Sequence, residues 1–400
     1  MSGMSLNCKW MTFLCSLALA SGTAGCSKKA DDMSTDMSMD DAGMMMDDTP
    51  LERATKPLPK ADPITAPDNE WTWVDFPKTR CMDDSPTGLG IKFRENSDKL
   101  LIVIQGGGAC FNTLTCAAAA NPNGFGESNL AANVGIGLLN ADDADNPFRN
   151  WNMVFIPYCS GDIFSGAAEN GTGFEGRTQM GYLNMREYLT RLVPTFKDAS
   201  RVVLSGYSAG GFAASVNWVQ AIEGWGDGVR VDVLNDSGPP LGEKYLTTCL
   251  QQRLAEVWNW SANIPDGCTE CDISTGHVTE PVMRWSIAYT KKFRHGLISS
   301  SEDPVIKLFY SYGLNDCSGL DALFPPTYPT GLYPEGLQDL QDNIFADHPN
   351  AEAFIVDSTT THTWTVQQSP GAVESEGVIL RDWIKDFLDT KSDWQTVAPF

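Results

Sequence analysis

Apolar and polar positions along the chain sort into short buried runs separated by turn residues. Trp71–Phe76 alternates as a strand. Cys81–Gly88 reads as a turn, Ile91–Phe93 as a second strand, and Asn96-Ser97-Asp98 turns the chain into a third, Leu100–Gln105. Further strands are predicted at Trp151–Ile156, Val202–Ser205, Val229–Leu234, Pro304–Ser311 and Ala353–Asp357. Two stretches follow helical spacing instead. One is Phe212–Gly224; the other is Val378–Leu388, whose Ile379, Leu380, Trp383, Ile384, Phe387 and Leu388 form an apolar side. Strands alternating with helices predict the α/β class with a mostly parallel sheet. From Leu241 to about Ser300 the alternation gives way to a partly helical insertion, placed between core strands where it can cover a site and set substrate choice.

One junction carries chemistry. The strand ending at Ser205 runs into Gly206-Tyr207-Ser208-Ala209-Gly210-Gly211, and a helix follows. Strand, G-x-S-x-G, helix is the context of a nucleophile elbow, in which the serine sits on a tight turn and projects above the sheet. The bland alternative is a glycine-rich turn with an incidental serine. The third strand ends in Gly106-Gly107-Gly108-Ala109-Cys110-Phe111. That cluster lacks the G-x-G-x-x-G spacing of a phosphate loop and has no helix directly after it, so it reads as an oxyanion loop. Gly107, Gly108 and Ala209 are the candidate oxyanion donors. Asp162, just past the strand ending at Ile156, is expected to hold a turn.

Ser208 needs a base and an acid, and the hydrolase order is serine, acid, histidine. Of four histidines, His277 and His295 lie in the expected insertion, and His348 precedes the last strand. His362 follows it and is the candidate base; a surface-loop histidine is the alternative. Asp316, after the predicted strand Pro304–Ser311, is the candidate acid, with Asp236 and Asp357 as rivals. In this reading Ser208 attacks an ester carbonyl, His362 moves the proton, and Asp316 fixes the imidazole.

Composition places this chemistry outside the cytoplasm. The chain of 400 residues has a net charge of −23, which disfavours a nucleic-acid partner. Residues 1–25 read as a signal peptide, with an apolar stretch Trp10–Ala20 too short to span a bilayer. Thr23-Ala24-Gly25-Cys26 resembles a bacterial lipobox, which would make Cys26 a lipid anchor; plain secretion is the alternative. Residues 26–66, rich in Asp, Met, Ser and Pro, read as a disordered tether, and 67–400 as one catalytic domain. The methionines could ligate copper, but a solvated spacer is the plainer account. Of 11 cysteines, eight remain beyond Cys26, an even number that suggests disulfides in an exported chain. Cys268-Thr-Glu-Cys271 could instead be half of a zinc site with Cys249 or His277, but no second C-x-x-C accompanies it.

Several segments together resemble the pectin acetylesterase/Notum family of carboxylesterases, its bacterial members most. They are Cys81–Pro86, Gln105–Asn112, Trp151–Asp162 with Ser165-Gly166, Gly206–Gly211 and Asp236-Ser237-Gly238, followed by weaker matches at Ser311–Asp316 and His362. The resemblance implies an α/β-hydrolase-like fold, no metal or organic cofactor, a triad at Ser208, Asp316 and His362, and a Cys110–Cys116 disulfide. Gly108-Ala109 stands where family members carry a Trp, and Pro239-Pro240 replaces large aromatics, so the acyl preference does not carry over. Three functions compete. The first is an exported esterase removing acetyl or another short acyl group from a polysaccharide, with Trp71, Trp73 and Trp151 as sugar platforms. The second is an esterase for a longer acyl chain on a lipid, polyester or lipid-modified protein, which a long apolar channel beneath Ser208 would favour. The third is a non-catalytic surface-binding protein. The partner in the first two is an ester substrate, and a membrane is reached only through the N-terminal anchor.

Overall fold

A computed structural model describes residues 54–400 except 227, 323 and 391–392. The expected signal peptide, Cys26 and the expected tether as far as residue 53 lie outside the described residues. Eight strands form one sheet: β1 (Thr72–Phe76), β2 (Thr87–Lys92), β3 (Lys99–Ile104), β4 (Asn152–Ile156), β5 (Arg201–Tyr207), β6 (Arg230–Asp236), β7 (His295–Ser300) and β8 (Ala351–Val356). Their order across the sheet is β1-β2-β4-β3-β5-β6-β7-β8. β1, β2 and β4 pair antiparallel, and every other pairing is parallel. The fold is α/β-hydrolase-like, with helices packed on both faces.

The helices that matter here are α1 (Thr113–Ala118), α2 (Gly181–Thr195), α3 (Ala209–Val216), α4 (Trp218–Trp225), α5 (Thr248–Trp258), α6 (Thr279–Thr290), α7 (Pro304–Ser311) and α8 (Leu380–Asp389). β5 shows why both sheet faces must be covered. Val202 and Leu204 enter one buried cluster, which also takes Ala213, Trp218 and Ile287. Val203 enters the other, with Trp383, Ile384 and Phe387 of α8. A strand buried on both sides reads as a continuous apolar run, which is why β5 was visible in the sequence.

Three expectations need correction. Pro304–Ser311 is helix α7 and not a strand. Asp303 is its N-cap, accepting from the N–H groups of Val305 at 2.9 Å and Ile306 at 3.0 Å, and Pro304 takes the first helical position, where its missing N–H costs nothing. The strand is β7 instead, so the insertion ends before His295. β7 was hidden because its sequence, HGLISS, is buried throughout yet holds only two large aliphatic residues. Residues 54–66, expected within the tether, lie against the body. Ala54 and Thr55 donate to the Glu223 carboxylate, Ile64 N–H donates to Thr195 Oγ1 at 2.7 Å, and Ala54 and Ile64 are buried.

The sheet order places the site. From β3 the chain steps outward to β4, then returns past β3 to β5, so the loops after β3 and β5 diverge from adjacent strand ends. Such a switch point leaves a crevice at the carboxyl edge, where α/β sheets bind ligands. The glycine cluster follows β3 and Ser208 follows β5, and Ile104 pairs with Gly206.

Candidate active site

Ser208 stands between β5 and α3 with φ 58° and ψ −124°. A non-glycine residue in this region is strained and persists where its surroundings hold it. Here Ser208 N–H donates to Asp236 O at 2.8 Å, continuing the β5–β6 ladder past its end. The flanking glycines are required by space. A Cβ on Gly206 would lie 2.1 Å from Gly210 O, and one on Gly210 would lie 2.0 Å from Ile104 O. The incidental-serine alternative does not account for a turn built this tightly.

The Gly106–Cys110 loop faces it across the switch point. Gly108 has φ +81°, open to glycine at no steric cost. Cys110 pins the loop from several sides: its N–H donates to Gly161 O at 2.7 Å, and its carbonyl accepts from Gln179 Nε2 and Trp258 Nε1, both at 2.9 Å. The Cys110–Cys116 disulfide implied by the resemblance is present and ties the loop to α1. Tyr158 adds a brace, its hydroxyl donating to Gly108 O at 3.0 Å. Among the described residues no protein group accepts from the N–H of Gly107, Gly108 or Ala209. Free N–H groups on a braced loop and at a helix start are what an oxyanion requires.

His362 comes from the loop after β8. Its Nδ1 lies 2.8 Å from Asp303 Oδ2 and 3.0 Å from Asp303 Oδ1, with Asp303 fully buried. Asp316 does not reach His362: it is exposed, in a left-handed turn at φ +53°, on an open polar groove with Glu243 and Thr247. The carboxylate that meets His362 does follow the penultimate strand, but that strand is β7. The signal that could have found Asp303 was Asp-Pro, an N-cap followed by proline at N1. Asp357, the other rival, accepts from Ser301 Oγ at 3.0 Å.

Asp236 plays a different part. Its Oδ2 accepts from Trp364 N at 2.9 Å, Thr365 N at 2.7 Å and Thr365 Oγ1 at 2.7 Å, and its Oδ1 accepts from Ser237 Oγ at 2.9 Å. Ser237 Oγ shares that one proton with His362 O. The carboxylate therefore holds the histidine loop against the strand end from which Ser208 N–H is also held. Burial pushes its pKa up, opposed by these hydrogen bonds. His362 Nε2 is buried without a protein hydrogen-bond partner, including Ser208 Oγ. Contacts of this kind are often long until substrate binds.

The remaining candidates are structural in geometry. Asp162 is buried and accepts from Ser160 Oγ at 2.6 Å and from the N–H groups of Phe164, Gly166 and Gly181, fixing a turn to the start of α2. His295 lies inside β7, its Nε2 2.9 Å from Ser215 Oγ, and burial lowers its pKa to about 3. Trp151 is buried and offers no sugar platform, whereas Trp71 and Trp73 are half-buried and pack one side against the same core cluster. Cys268 bonds Cys271, Cys81 bonds Cys159, and Cys249 on α5 bonds Cys317. Among the described residues no group of three His, Cys, Asp or Glu is placed to hold a metal ion.

A half-open cavity lies beside Ser208. Its walls are apolar: Phe111 after the glycine loop, Leu250, Leu254 and Trp258 from α5, and Ile306 and Phe309 from α7. The insertion thus supplies one wall and the misread helix another.

A family model described as Pectinacetylesterase matches residues 69–274. The chain is 31% identical over 209 residues to the palmitoleoyl-protein carboxylesterase notum1 of Xenopus laevis, covering 48% of this chain and 43% of that one. It is 34% identical over 142 residues to palmitoleoyl-protein carboxylesterase NOTUM of Homo sapiens (34% and 28%) and 33% identical over 150 residues to pectin acetylesterase 5 of Arabidopsis thaliana (34% of each). The aligned part spans less than half the length of each relative. The family match includes Ser208 and the glycine loop and stops short of Asp303 and His362.

Proposed function

The chain belongs to the pectinacetylesterase family, and from that premise we propose that it is a serine carboxylesterase with Ser208 as nucleophile, His362 as base and Asp303 as the acid. Ser208 Oγ attacks the ester carbonyl while its proton passes to His362 Nε2. Asp303 holds Nδ1–H, which fixes the tautomer and stabilises the imidazolium. The oxygen that becomes negative sits against the N–H groups of Ala209 and Gly108, with Gly107 adjoining. The tetrahedral centre collapses, the alcohol leaves with the proton from His362, and water repeats the cycle on the acyl-serine. The single observation that carries this reading is the buried Asp303–His362 pair, on a loop that Asp236 fastens to the same strand end that holds Ser208 in elbow geometry.

The apolar cavity favours an acyl group larger than acetyl, because an acetyl group would leave most of that surface unfilled. The O-acetyl polysaccharide reading stands second, supported by the family description and the pectin acetylesterase match. Export agrees with four disulfides among the described residues, a density that belongs to oxidising compartments. Lipid attachment at Cys26 is part of the same proposal. Hydrolysis of p-nitrophenyl esters from C2 to C16 by wild type and Ser208→Ala tests the function. Activity in the wild type with a loss of at least about a thousandfold in the variant is expected. No hydrolysis at any chain length, or an active Ser208→Ala, would overturn it.

A further inference from the structure

The cavity beside Ser208 has a neighbour. A second cavity shares Ile163, Phe212 and Thr279 with it as lining. We propose that this second cavity is the distal half of the acyl site, taking the far end of a medium or long unbranched acyl chain, and that Ile163, Phe212 and Thr279 are the constriction that sets chain length. The inference rests on the esterase reading, with Ser208 as the acylated atom.

The chemistry of the second cavity suits a hydrocarbon. Val216, Ile264, Val278, Val282 and Met283 line it. Its hydroxyls are taken. Ser165 Oγ accepts from Trp260 Nε1 and donates to Asp162 O, both at 2.6 Å. Ser215 Oγ lies 2.9 Å from both His295 Nε2 and Asn235 Nδ2, and Thr279 Oγ1 donates to Gln251 Oε1 at 3.1 Å. Asn263 Oδ1 alone among these side chains keeps an acceptor without a protein partner. Walls whose hydroxyls are satisfied offer little to a sugar, whereas each methylene moved there from water gains free energy.

The constriction is held in a way that packing alone does not demand. Ile163 has φ +50°, a costly conformation for a β-branched residue. Its N–H donates at 2.8 Å to the Tyr158 hydroxyl, the same hydroxyl that braces Gly108. One wall of the constriction is therefore tied to the oxyanion loop. Thr279 is fixed through Gln251, which also accepts from its N–H at 2.9 Å. Phe212 sits one helical turn beyond Ser208, its N–H 3.3 Å from Ser208 O, with its side chain half-buried between the two cavities. Rotation about its χ1 is the smallest movement that would join them.

The experiment uses the whole chain. Wild-type kcat/KM on p-nitrophenyl esters should rise from C2 to C8 and hold or rise to C12. Val282→Trp, which fills the distal cavity, should lower the C12:C4 ratio of kcat/KM about tenfold or more, chiefly through KM. Calorimetry with sodium laurate on Ser208→Ala should show binding, weakened by a similar factor when Val282→Trp is added. A C12:C4 ratio within twofold of wild type in folded Val282→Trp overturns the inference and leaves the esterase reading standing. Laurate that fails to bind Ser208→Ala also overturns it, without depending on the Trp variant. Absence of hydrolysis at every length sinks the esterase reading, while laurate binding blocked by Val282→Trp still supports the cavity assignment.

Discussion

Asp236 and Asp303 stand at the ends of neighbouring strands, and both are fully buried. Both act on the loop that carries His362, yet their partners differ in kind. Asp236 accepts from two backbone N–H groups and two hydroxyls, so its lone pairs are occupied by fixed neutral donors. Asp303 accepts from two N–H groups at the start of α7 through Oδ1 and faces the imidazole with both oxygens, Oδ2 having no other partner among the described residues. A carboxylate saturated by neutral donors is a fastener. One with an oxygen facing a titratable ring can answer the charge that forms there. The difference lies in the donors around each group and not in burial, which the two share.

The comparison breaks most sharply at Asp303. Asp303→Asn keeps the size and can keep the helix cap, but its amide cannot stabilise an imidazolium and favours the wrong tautomer. We expect kcat to fall by about 10²–10⁴ with KM little changed, measured on the best p-nitrophenyl ester. A fall under about fivefold would remove Asp303 from the triad.

Asp236 should respond in stability first. Asp236→Ala leaves the N–H groups of Trp364 and Thr365 and the Thr365 hydroxyl without their acceptor, a loss of about 2–4 kcal/mol. Asp236→Asn can keep those three bonds through its carbonyl oxygen and should retain most of the stability and activity. The two variants therefore separate the fastening role from charge. The pH dependence has a definite sign. Burial raises the Asp236 pKa above the ordinary 3.8. A group with a raised folded pKa contributes stability that is complete below 3.8 and is lost as pH rises through the folded value. Asn carries no such proton, so the margin of wild type over Asp236→Asn should be wider at pH 4 than at pH 7 in urea unfolding. An equal margin at both pH values would contradict that sign.

The same pair shows where the sequence was readable and where it was not. β3, β5 and their glycine loops announce themselves, because continuous apolar runs and mandatory glycines leave few alternatives. His362 was reached by elimination among four histidines. Asp303, the proposed acid, was missed although the rule that seeks an acid after the penultimate strand leads to it. β7 carries His295, Gly296 and two serines in a fully buried strand, so its polarity disguised it. The apolar residues of α7 were then taken for that strand, which moved the expected acid to Asp316. The cavities were not legible at all, since α5, α6 and α7 meet there from distant parts of the chain and no local pattern records it.

Asp316 is the smallest prediction and the one that closes the comparison. It shares with Asp303 only its place after a segment read as the penultimate strand. Its carboxylate is exposed, and no hydrogen bond or ion pair links it to His362. It stands beside Cys317, whose bridge to Cys249 holds the chain here against α5. Asp316→Asn keeps the shape, and Asn tolerates the left-handed backbone at φ +53° as readily as Asp does. Removing one exposed charge should therefore change kcat/KM by less than about twofold and stability by less than about 0.5 kcal/mol. A loss of tenfold or more, with the thermal midpoint unchanged, would return the acid to Asp316. The Asp303–His362 contact would then be a fastener like that of Asp236, and the distinction between the two buried carboxylates would fall with it.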